Sequence, residues 1–150
     1  MKSTTRARIG VVVSRFNRAV TDALLKGTKE AAAEVGVALG EPDIYPVSGA
    51  FELPLVAQAL AKSGKYDGIV CLGAVIRGET PHFDYVCQQT AAGIQRVALD
   101  CGLPVAFGVL TTDTLEQALA RAGGDFGNKG RDAFVTVMET LHQLRRATEA

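Results

Sequence analysis

The sequence lacks several features that would point to common classes of protein. It has no tryptophan, three cysteines and two histidines in 150 residues, and its sixteen basic side chains are balanced by sixteen acidic ones. A net charge of zero provides no basic surface for a phosphate backbone, so we expect no nucleic-acid partner. Apolar residues make up 47% of the chain, which excludes a disordered protein because disorder requires low hydrophobicity and high net charge.

Signals for membranes, secretion and metal binding are also missing. No apolar run approaches the ~20 residues of a membrane span, and the N-terminal segment 1–8 is polar where a signal peptide would be apolar. The cysteines are odd in number and widely spaced, which favours reduced thiols over disulfides. His82 and His142 lie far apart and no Cys-x-x-Cys occurs, which gives a metal site little support. We therefore expect a cytoplasmic protein with no membrane contact and no metal.

What the sequence contains is an alternation of strand-like and helix-like segments from end to end. Apolar runs predict strands at residues 7–14, 44–47, 67–76 and 103–110. Apolar residues at helical spacing predict helices at 18–35, 52–62, 81–100 and 131–146, and a short helix opened by Thr112 and ended near Gly123. This order predicts one α/β domain, residues 1–150, with a parallel sheet of about four strands between two layers of helices. Pro46 indicates that the second strand lies near a sheet edge.

Ligands of parallel sheets bind outside the carboxyl ends of the strands, so the segments after the strands are the candidate site. Phe16 follows the first strand and Phe51 the second, which suggests a stacking slot for a flat ring. Gly49 and Ala50 would let a ligand approach the backbone closely. The alternative is structural, with Asn17 as a helix cap and a core phenylalanine beside it.

The segment after the third strand carries the strongest local signal. Residues 78–80 would offer backbone N–H groups and the Thr80 hydroxyl at the start of a helix, which is a natural seat for a phosphate group. His82 lies in the first turn of that helix. A lone histidine is often only a surface residue, but its position beside a phosphate seat favours a function.

The last part of the chain leaves two interpretations open. Phe107 lies within the fourth strand and is most simply a core residue. Arg121 and Lys129 flank a glycine-rich segment, 123–130, which is either a flexible connection between helices or a source of cations for a dianionic phosphate. Neither a nucleotide P-loop nor a Gly-x-Gly-x-x-Gly after the first strand is present, so a nucleotide site is unsupported.

Four motifs stand in a fixed order along the chain: Ser-Arg-Phe-Asn at 14–17, Gly-Ala-Phe-Glu-Leu-Pro at 49–54, Gly-x-Val-Ile-Arg-Gly-x-Thr-x-His-Phe-Asp-Tyr at 73–85 and Arg-Ala-Gly-x-x-x-Gly-Asn-Lys-Gly at 121–130. In order and spacing they resemble the lumazine synthase family over nearly the whole chain. Each motif alone is a weak indication of this family, but the four motifs together, at these spacings, are a specific one. The resemblance implies a flavodoxin-like three-layer sandwich with a four-stranded parallel sheet.

The resemblance also implies a transferase of riboflavin biosynthesis. The enzyme would condense 5-amino-6-(D-ribitylamino)uracil with 3,4-dihydroxy-2-butanone 4-phosphate to 6,7-dimethyl-8-ribityllumazine, by imine formation, loss of phosphate and ring closure with loss of water. The family needs no metal or organic cofactor. Two alternatives stay open: an archaeal-type riboflavin synthase, which shares the fold, and a non-catalytic shell protein that binds flavin or lumazine.

By the same resemblance, each candidate residue has an implied role. His82 and Arg121 would be catalytic, because His82 would move protons and Arg121 would clamp the phosphate group. The other residues would bind the pyrimidine, the ribityl chain or the phosphate: Phe16, Asn17, Gly49, Ala50, Phe51, Glu52, Val75, Ile76, Gly78, Glu79, Thr80, Phe107 and Lys129.

In the family, the residues that match Phe107, Arg121 and Lys129 reach the site from a neighbouring subunit. The resemblance therefore implies a homo-pentamer with active sites between subunits. A sixty-subunit shell of twelve pentamers is a larger assembly known in the family. The uninterrupted segment 123–130 favours the shell. The short arm before the first strand and the bulky ring of Phe126 oppose it.

Overall fold

The computed structural model describes residues 6–149, so most of the polar N-terminal arm expected from the sequence lies outside the described residues. Strands and helices alternate along the described chain, as predicted. They are β1 (Ile9–Ser14), α1 (Arg18–Glu34), β2 (Ile44–Val47), α2 (Leu53–Lys62), β3 (Gly68–Ile76), α3 (His82–Cys101), β4 (Val105–Thr112), α4 (Leu115–Ala120), β5 (Ala122–Gly124), β6 (Gly127–Asn128) and α5 (Lys129–Thr148). Two short 3₁₀ turns, Glu41–Asp43 and Ala50–Glu52, precede β2 and α2.

The first four strands form one parallel sheet in the order β2-β1-β3-β4. Val12 of β1 lies opposite Tyr45 of β2 and Cys71 of β3, and Cys71 lies opposite Phe107 of β4. This topology confirms the expected flavodoxin-like α/β class. The edge position of β2, predicted from Pro46, is also confirmed, and it suits a residue that has no backbone N–H to donate.

Two apolar cores cover the two faces of the sheet. Val11 of β1 packs on one face in a cluster with Phe134 of α5, and helices α1 and α5 cover that face. Val12 belongs to the other cluster, with Leu53 of α2 and Ile94 of α3. Successive side chains of a strand point to opposite faces, so both valines are fully buried although they lie in different cores. The strands therefore read as continuous apolar runs, and the molecule has three layers.

The layer formed by α1 and α5 depends on a close backbone approach at Gly130. A β-carbon at this position would overlap the backbone of Leu24 in α1. The Gly130 carbonyl oxygen accepts a hydrogen bond from the Thr28 hydroxyl at 2.9 Å. This contact fixes the first turn of α5, and with it the β5–β6 hairpin that precedes the helix.

The fourth strand and the helix after it begin later than predicted. Thr112, predicted to open the short helix, is still paired with β3, and its hydroxyl donates to the Thr114 carbonyl oxygen at 2.9 Å. Thr114 is the cap instead. Its hydroxyl accepts from the Gln117 N–H at 3.1 Å, and the Gln117 side chain accepts from the Thr114 N–H at 3.3 Å. Sheet pairing extended the strand by two residues, and pairing leaves no signal in the local sequence.

The glycine-rich segment 123–130 forms regular structure between the two helices rather than an irregular connection. β5 and β6 pair there as an antiparallel hairpin, and α5 begins directly after Asn128, earlier than predicted. The Asn128 side-chain oxygen accepts from the N–H groups of Gly130 and Arg131 at 2.8 and 3.1 Å. Its amide donates to the Ala23 carbonyl oxygen of α1 at 3.0 Å. One side chain therefore caps α5 and ties the hairpin to α1.

Candidate active site

A cavity of about 660 Å³ lies at the carboxyl ends of β1, β2 and β3, beside the amino end of α3. Its volume suits a small-molecule ligand. Three of the sequence segments predicted to form the site meet here. This strand-end cavity is lined by Phe16, Ser48, Gly49, Ala50, Phe51, Glu52, Ala74, Val75, Ile76, Gly78, Thr80, His82, Phe83, Tyr85 and Val86.

Two aromatic side chains at the strand-end cavity are largely uncovered. Phe16 is 70% exposed and Phe51 is 57% exposed, so the interpretation of Phe16 as a core residue is wrong. The backbone N–H of Phe16 donates to the Ser48 carbonyl oxygen at 3.1 Å, which joins the loop after β1 to the loop after β2. Exposed aromatic faces at a cavity can stack on a flat ligand.

The segment between β3 and α3 presents polar groups to the same cavity. Gly78, Thr80 and His82 line it, and His82 is the first residue of α3, a helix of 20 residues. The Thr80 hydroxyl oxygen accepts a hydrogen bond from the His82 N–H at 3.4 Å. The amino end of a long helix favours an anion such as phosphate. Glu79 is exposed and does not line the cavity.

Arg77 anchors this segment, and sequence reasoning did not select it. Its Nε donates to the Asp113 carboxylate at 2.8 Å, and its guanidinium lies 3.6 Å from the Asp84 carboxylate. The guanidinium carbon also lies 4.4 Å from the centre of the Phe83 ring. The hydrogen bond to Asp113 raises the pKa of Arg77 above its ordinary value. Arg77 thereby joins the carboxyl ends of β3 and β4 and the amino end of α3. Its partner Asp113 is 36 residues away in the chain, so no local sequence pattern identifies this contact.

Tyr85 and Val86 also line the strand-end cavity and were not predicted to do so. They follow His82 by three and four positions on α3. Residues at these spacings share a helix face with His82, so the helical period was the signal that could have identified them.

Three predicted residues lie around a second cavity, of about 420 Å³, on the β4 side of the molecule. Phe107 is 37% exposed rather than buried in the core, because it lies on an edge strand. This β4-edge cavity is lined by Phe107, Val109, Leu110, Thr111, Thr112, Arg121, Phe126, Lys129 and Asp132.

The β5–β6 hairpin brings the two cations of the β4-edge cavity together. The Lys129 N–H donates to the Arg121 carbonyl oxygen at 2.8 Å, which pairs the residues at the two ends of the hairpin. The Arg121 guanidinium donates to the Gln117 carbonyl oxygen at 2.9 Å, and its carbon lies 4.7 Å from the centre of the Phe126 ring. Both groups with which Arg121 interacts here are uncharged, so its positive charge remains available to an anion.

The two cavities share no lining residue. Between them is a depression of about 410 Å³, lined in part by Arg77, Phe83 and Arg121. Across residues 6–149 of one chain, the predicted site residues therefore form two groups. One contains the aromatic slot and His82, and the other contains Arg121, Lys129 and Phe107.

Asn17 precedes α1 at the predicted cap position, but its side chain does not cap the helix. Its backbone is left-handed, with φ 64° and ψ 51°. Its side-chain amide donates to the Ala74 carbonyl oxygen of β3 at 2.9 Å. Asn17 does not line the strand-end cavity, although it directly follows Phe16, which does.

Within residues 6–149, no three His, Cys, Asp or Glu side chains lie close enough together to hold a metal ion. The helices of the same part of the chain are too short or too polar to cross a membrane.

The sheet and the strand-end cavity define an α/β protein of flavodoxin-like fold with a ligand site at the carboxyl ends of parallel strands. The sequence profile of the 6,7-dimethyl-8-ribityllumazine synthase family matches residues 6–145, and the chain belongs to that family. The 6,7-dimethyl-8-ribityllumazine synthase of Protochlamydia amoebophila (strain UWE25) is 52% identical over 137 residues, which cover 91% of this chain and 80% of that relative. The synthase of Desulfatibacillum aliphaticivorans is 52% identical over 135 residues, which cover 90% and 87%.

Proposed function

We propose that the chain is a transferase that condenses 5-amino-6-(D-ribitylamino)uracil with 3,4-dihydroxy-2-butanone 4-phosphate. The products are 6,7-dimethyl-8-ribityllumazine, inorganic phosphate and water, and the reaction is the penultimate step of riboflavin biosynthesis. The observation that carries the proposal is the strand-end cavity, where exposed aromatic rings, a helix start and a histidine meet. Family membership supports the same reaction.

The pyrimidine binds in the strand-end cavity against the exposed face of Phe16. Val75 and Ile76 line the same cavity at the end of β3, beside the edge of the ring. The ribityl chain extends towards the start of α2. There the exposed carboxylate of Glu52 accepts hydrogen bonds from its hydroxyl groups, beside Phe51.

The ketone phosphate binds with its phosphate group at residues 78–80, and His82 stands next to the reacting carbons. The amine attacks the ketone carbon, and the carbonyl oxygen takes up protons and leaves as water, which gives the imine. Phosphate then leaves with the electron pair of its C–O bond as the neighbouring carbon loses a proton. The resulting enol becomes a ketone, which the ribitylamino nitrogen attacks, and ring closure releases a second water. A positioned histidine can accept and return these protons.

Arg121 and Lys129 complete the phosphate site from a neighbouring subunit. Phe107 of that subunit reaches the same site. In one chain these residues line a cavity that has no residue in common with the strand-end cavity. A guanidinium can bind a phosphate group through two parallel hydrogen bonds, which an ammonium cannot. Arg121 is therefore the principal clamp and Lys129 the secondary cation.

Two separate exposed apolar surfaces support a head-to-tail ring of subunits. The first surface lies at the strand-end cavity and α2 and consists of Phe16, Phe51, Leu55 and Tyr85. The second lies on β4, α4 and the hairpin and consists of Phe107, Leu115, Leu119 and Phe126. When two different surfaces of identical chains meet, the assembly closes into a ring if the rotation permits. We assign a homo-pentamer with five active sites, each between two subunits, in agreement with the resemblance to the family.

A shell of twelve pentamers is the larger assembly to test. The hairpin between α4 and α5 is short, which favours the packing of pentamers against one another. Phe126 at its tip opposes the shell, because its bulky ring is 69% exposed.

The cysteines support a reducing compartment, for which we propose the cytoplasm. All three are free thiols. Burial raises the pKa of the Cys71 thiol to about 12, so it is not a nucleophile at neutral pH.

The test is to mix both substrates with the protein and follow lumazine absorbance and phosphate release together. We expect one phosphate for each lumazine formed. Lumazine supplied alone is the control. Conversion of lumazine to riboflavin, or tight lumazine binding without turnover of the two substrates, would overturn the proposal in favour of a riboflavin synthase or a binding protein.

A further inference from the structure

The loop after β1 is fastened to strands on both sides at the carboxyl edge of the sheet. The backbone N–H groups of Arg15 and Phe16 donate to two successive carbonyl oxygens at the end of β2, at 2.8 and 3.1 Å. On the β3 side, the Asn17 amide donates to the Ala74 carbonyl oxygen at 2.9 Å. The loop is therefore held by two hydrogen bonds on the β2 side, at Arg15 and Phe16, and by one on the β3 side, at Asn17.

Asn17 adopts a backbone conformation that few side chains favour. Among residues 6–149 it is the only non-glycine residue with a positive φ. Asparagine tolerates the left-handed region better than most residues. At a cap position the side-chain oxygen ordinarily accepts from an N–H group of the helix. Here it makes no such bond, and the side-chain N–H group donates to the Ala74 carbonyl oxygen of β3. The chain turns sharply at Asn17, so the direction of the preceding residue depends on this link.

Contacts within its own chain hold the Phe16 ring little, because the residue is 70% exposed in the single chain. Its position at the cavity is set by the backbone on either side. We propose that Asn17 is a positioning residue, which holds the Phe16 ring at the strand-end cavity by joining the loop to Ala74. The inference that the ring stacks on the pyrimidine rests on the proposed function, whereas the inference that Asn17 holds the ring does not.

The absence of tryptophan provides a direct test, since Phe16→Trp introduces a single fluorescent reporter at the site. Glycine adopts the left-handed conformation without strain, so Asn17→Gly removes the side chain, and with it the bond to Ala74, without straining the backbone. Asn17→Asp keeps the shape but cannot donate to the Ala74 carbonyl oxygen. We expect faster decay of fluorescence anisotropy when either change is added to Phe16→Trp. Arg18→Ala is the matched control, because it alters the other neighbour of Asn17 and leaves the link intact.

Equal anisotropy decay for Phe16→Trp with and without Asn17→Gly would overturn the proposal, whether or not the protein is a synthase. The second readout uses the natural Phe16. Asn17→Gly should raise KM for the pyrimidine by about two- to tenfold, the range that one neutral hydrogen bond contributes. KM for the ketone phosphate should stay near the wild-type value, because residues 78–80 are not touched.

The outcomes separate the two proposals. If wild type and Asn17→Gly bind the pyrimidine equally well, the positioning role is wrong and the synthase reaction stands. If both KM values rise together by the same factor, Asn17 has only a general structural role and the proposal is overturned. If the wild-type chain has no synthase activity, the proposed function fails, and the anisotropy measurement still decides whether Asn17 holds residue 16.

Discussion

Arg77 and Arg121 carry the same charged group but are bound differently. Arg77 is held by the carboxylate of Asp113, so its charge is used within the chain. Arg121 donates to the uncharged carbonyl group of Gln117 and lies against the Phe126 ring. At the scale of single residues, the uncharged partners of Arg121 leave its charge available to an anion, which supports the proposal that it clamps the dianionic substrate.

Arg121→Ala should weaken binding of the ketone phosphate and affect the pyrimidine little. Loss of a charged hydrogen-bond partner costs about 1.5–3 kcal/mol, which corresponds to an increase in KM on the order of 10- to 100-fold. Steady-state kinetics with each substrate varied in turn measure the effect. Arg96→Ala is the control, since Arg96 is an exposed arginine on α3 paired with Asp100. A wild-type KM for the phosphorylated substrate in Arg121→Ala would remove Arg121 from the phosphate site.

His82→Ala should lower kcat by about 100-fold or less, at the low end of what a positioned proton-transfer group contributes. The loss is modest because an amine and a ketone condense without a catalyst once they are held together. Turnover at saturating substrates across a range of pH measures it, with His142→Ala, a distant exposed histidine on α5, as the control. A variant that matches wild type at every pH would exclude His82 from the mechanism.

At the scale of helices and strands, the sequence predicted elements whose signals are local. The positions of β1, β2 and β3 followed from apolar runs, and Pro46 identified the edge strand. The ends that depend on distant partners were predicted wrongly. Thr112 belongs to β4 because it pairs with β3, and the hairpin is tied to α1 because Asn128 bonds to Ala23. Neither partner is visible in a window of local sequence.

Gly130→Ala should destabilise the chain, because the added β-carbon would overlap the backbone of Leu24 and force α1 and α5 apart. Overpacking of this kind costs about 1–3 kcal/mol in the free energy of unfolding. Urea unfolding at one fixed protein concentration measures it. Gly40→Ala is the matched control, since a β-carbon there meets only Pro42 at 3.6 Å. Equal stability of the two variants would show that the helices do not require glycine at this contact.

At the scale of the whole molecule, the residue patterns indicated the candidate site residues, whereas only the resemblance to the family implied how these residues are distributed between subunits. The strand-end motifs predicted that Phe16, Phe51 and His82 come together, and the structure brings them into one cavity. Composition and spacing did not indicate that Arg121 and Lys129 line a separate cavity. That separation follows from the position of β4 at the edge of the sheet, which is a property of the complete topology.

The exposed apolar surfaces predict an assembly in solution. Sedimentation or light scattering at neutral pH should give a mass of five chains of 15.8 kDa, or of sixty if the pentamers form a shell. Burial of exposed aromatic side chains between subunits would stabilise the ring. A mass of one chain would contradict both the pentamer and the shared active site, whereas a mass of five chains would contradict only the shell.

The most direct test of the shared active site is to combine two inactive variants. Phe16→Asp disables the strand-end cavity, and Arg121→Ala disables the β4-edge cavity, so each alone should have little activity at low substrate concentration. When the two variants are mixed equally, unfolded and refolded together, about a quarter of the sites should combine two intact halves from neighbouring subunits. We predict that activity then rises towards a quarter of the wild-type value, measured as lumazine formed per chain. Activity no greater than the mean of the separately refolded variants would contradict the account, because it would mean that each site is built from a single chain.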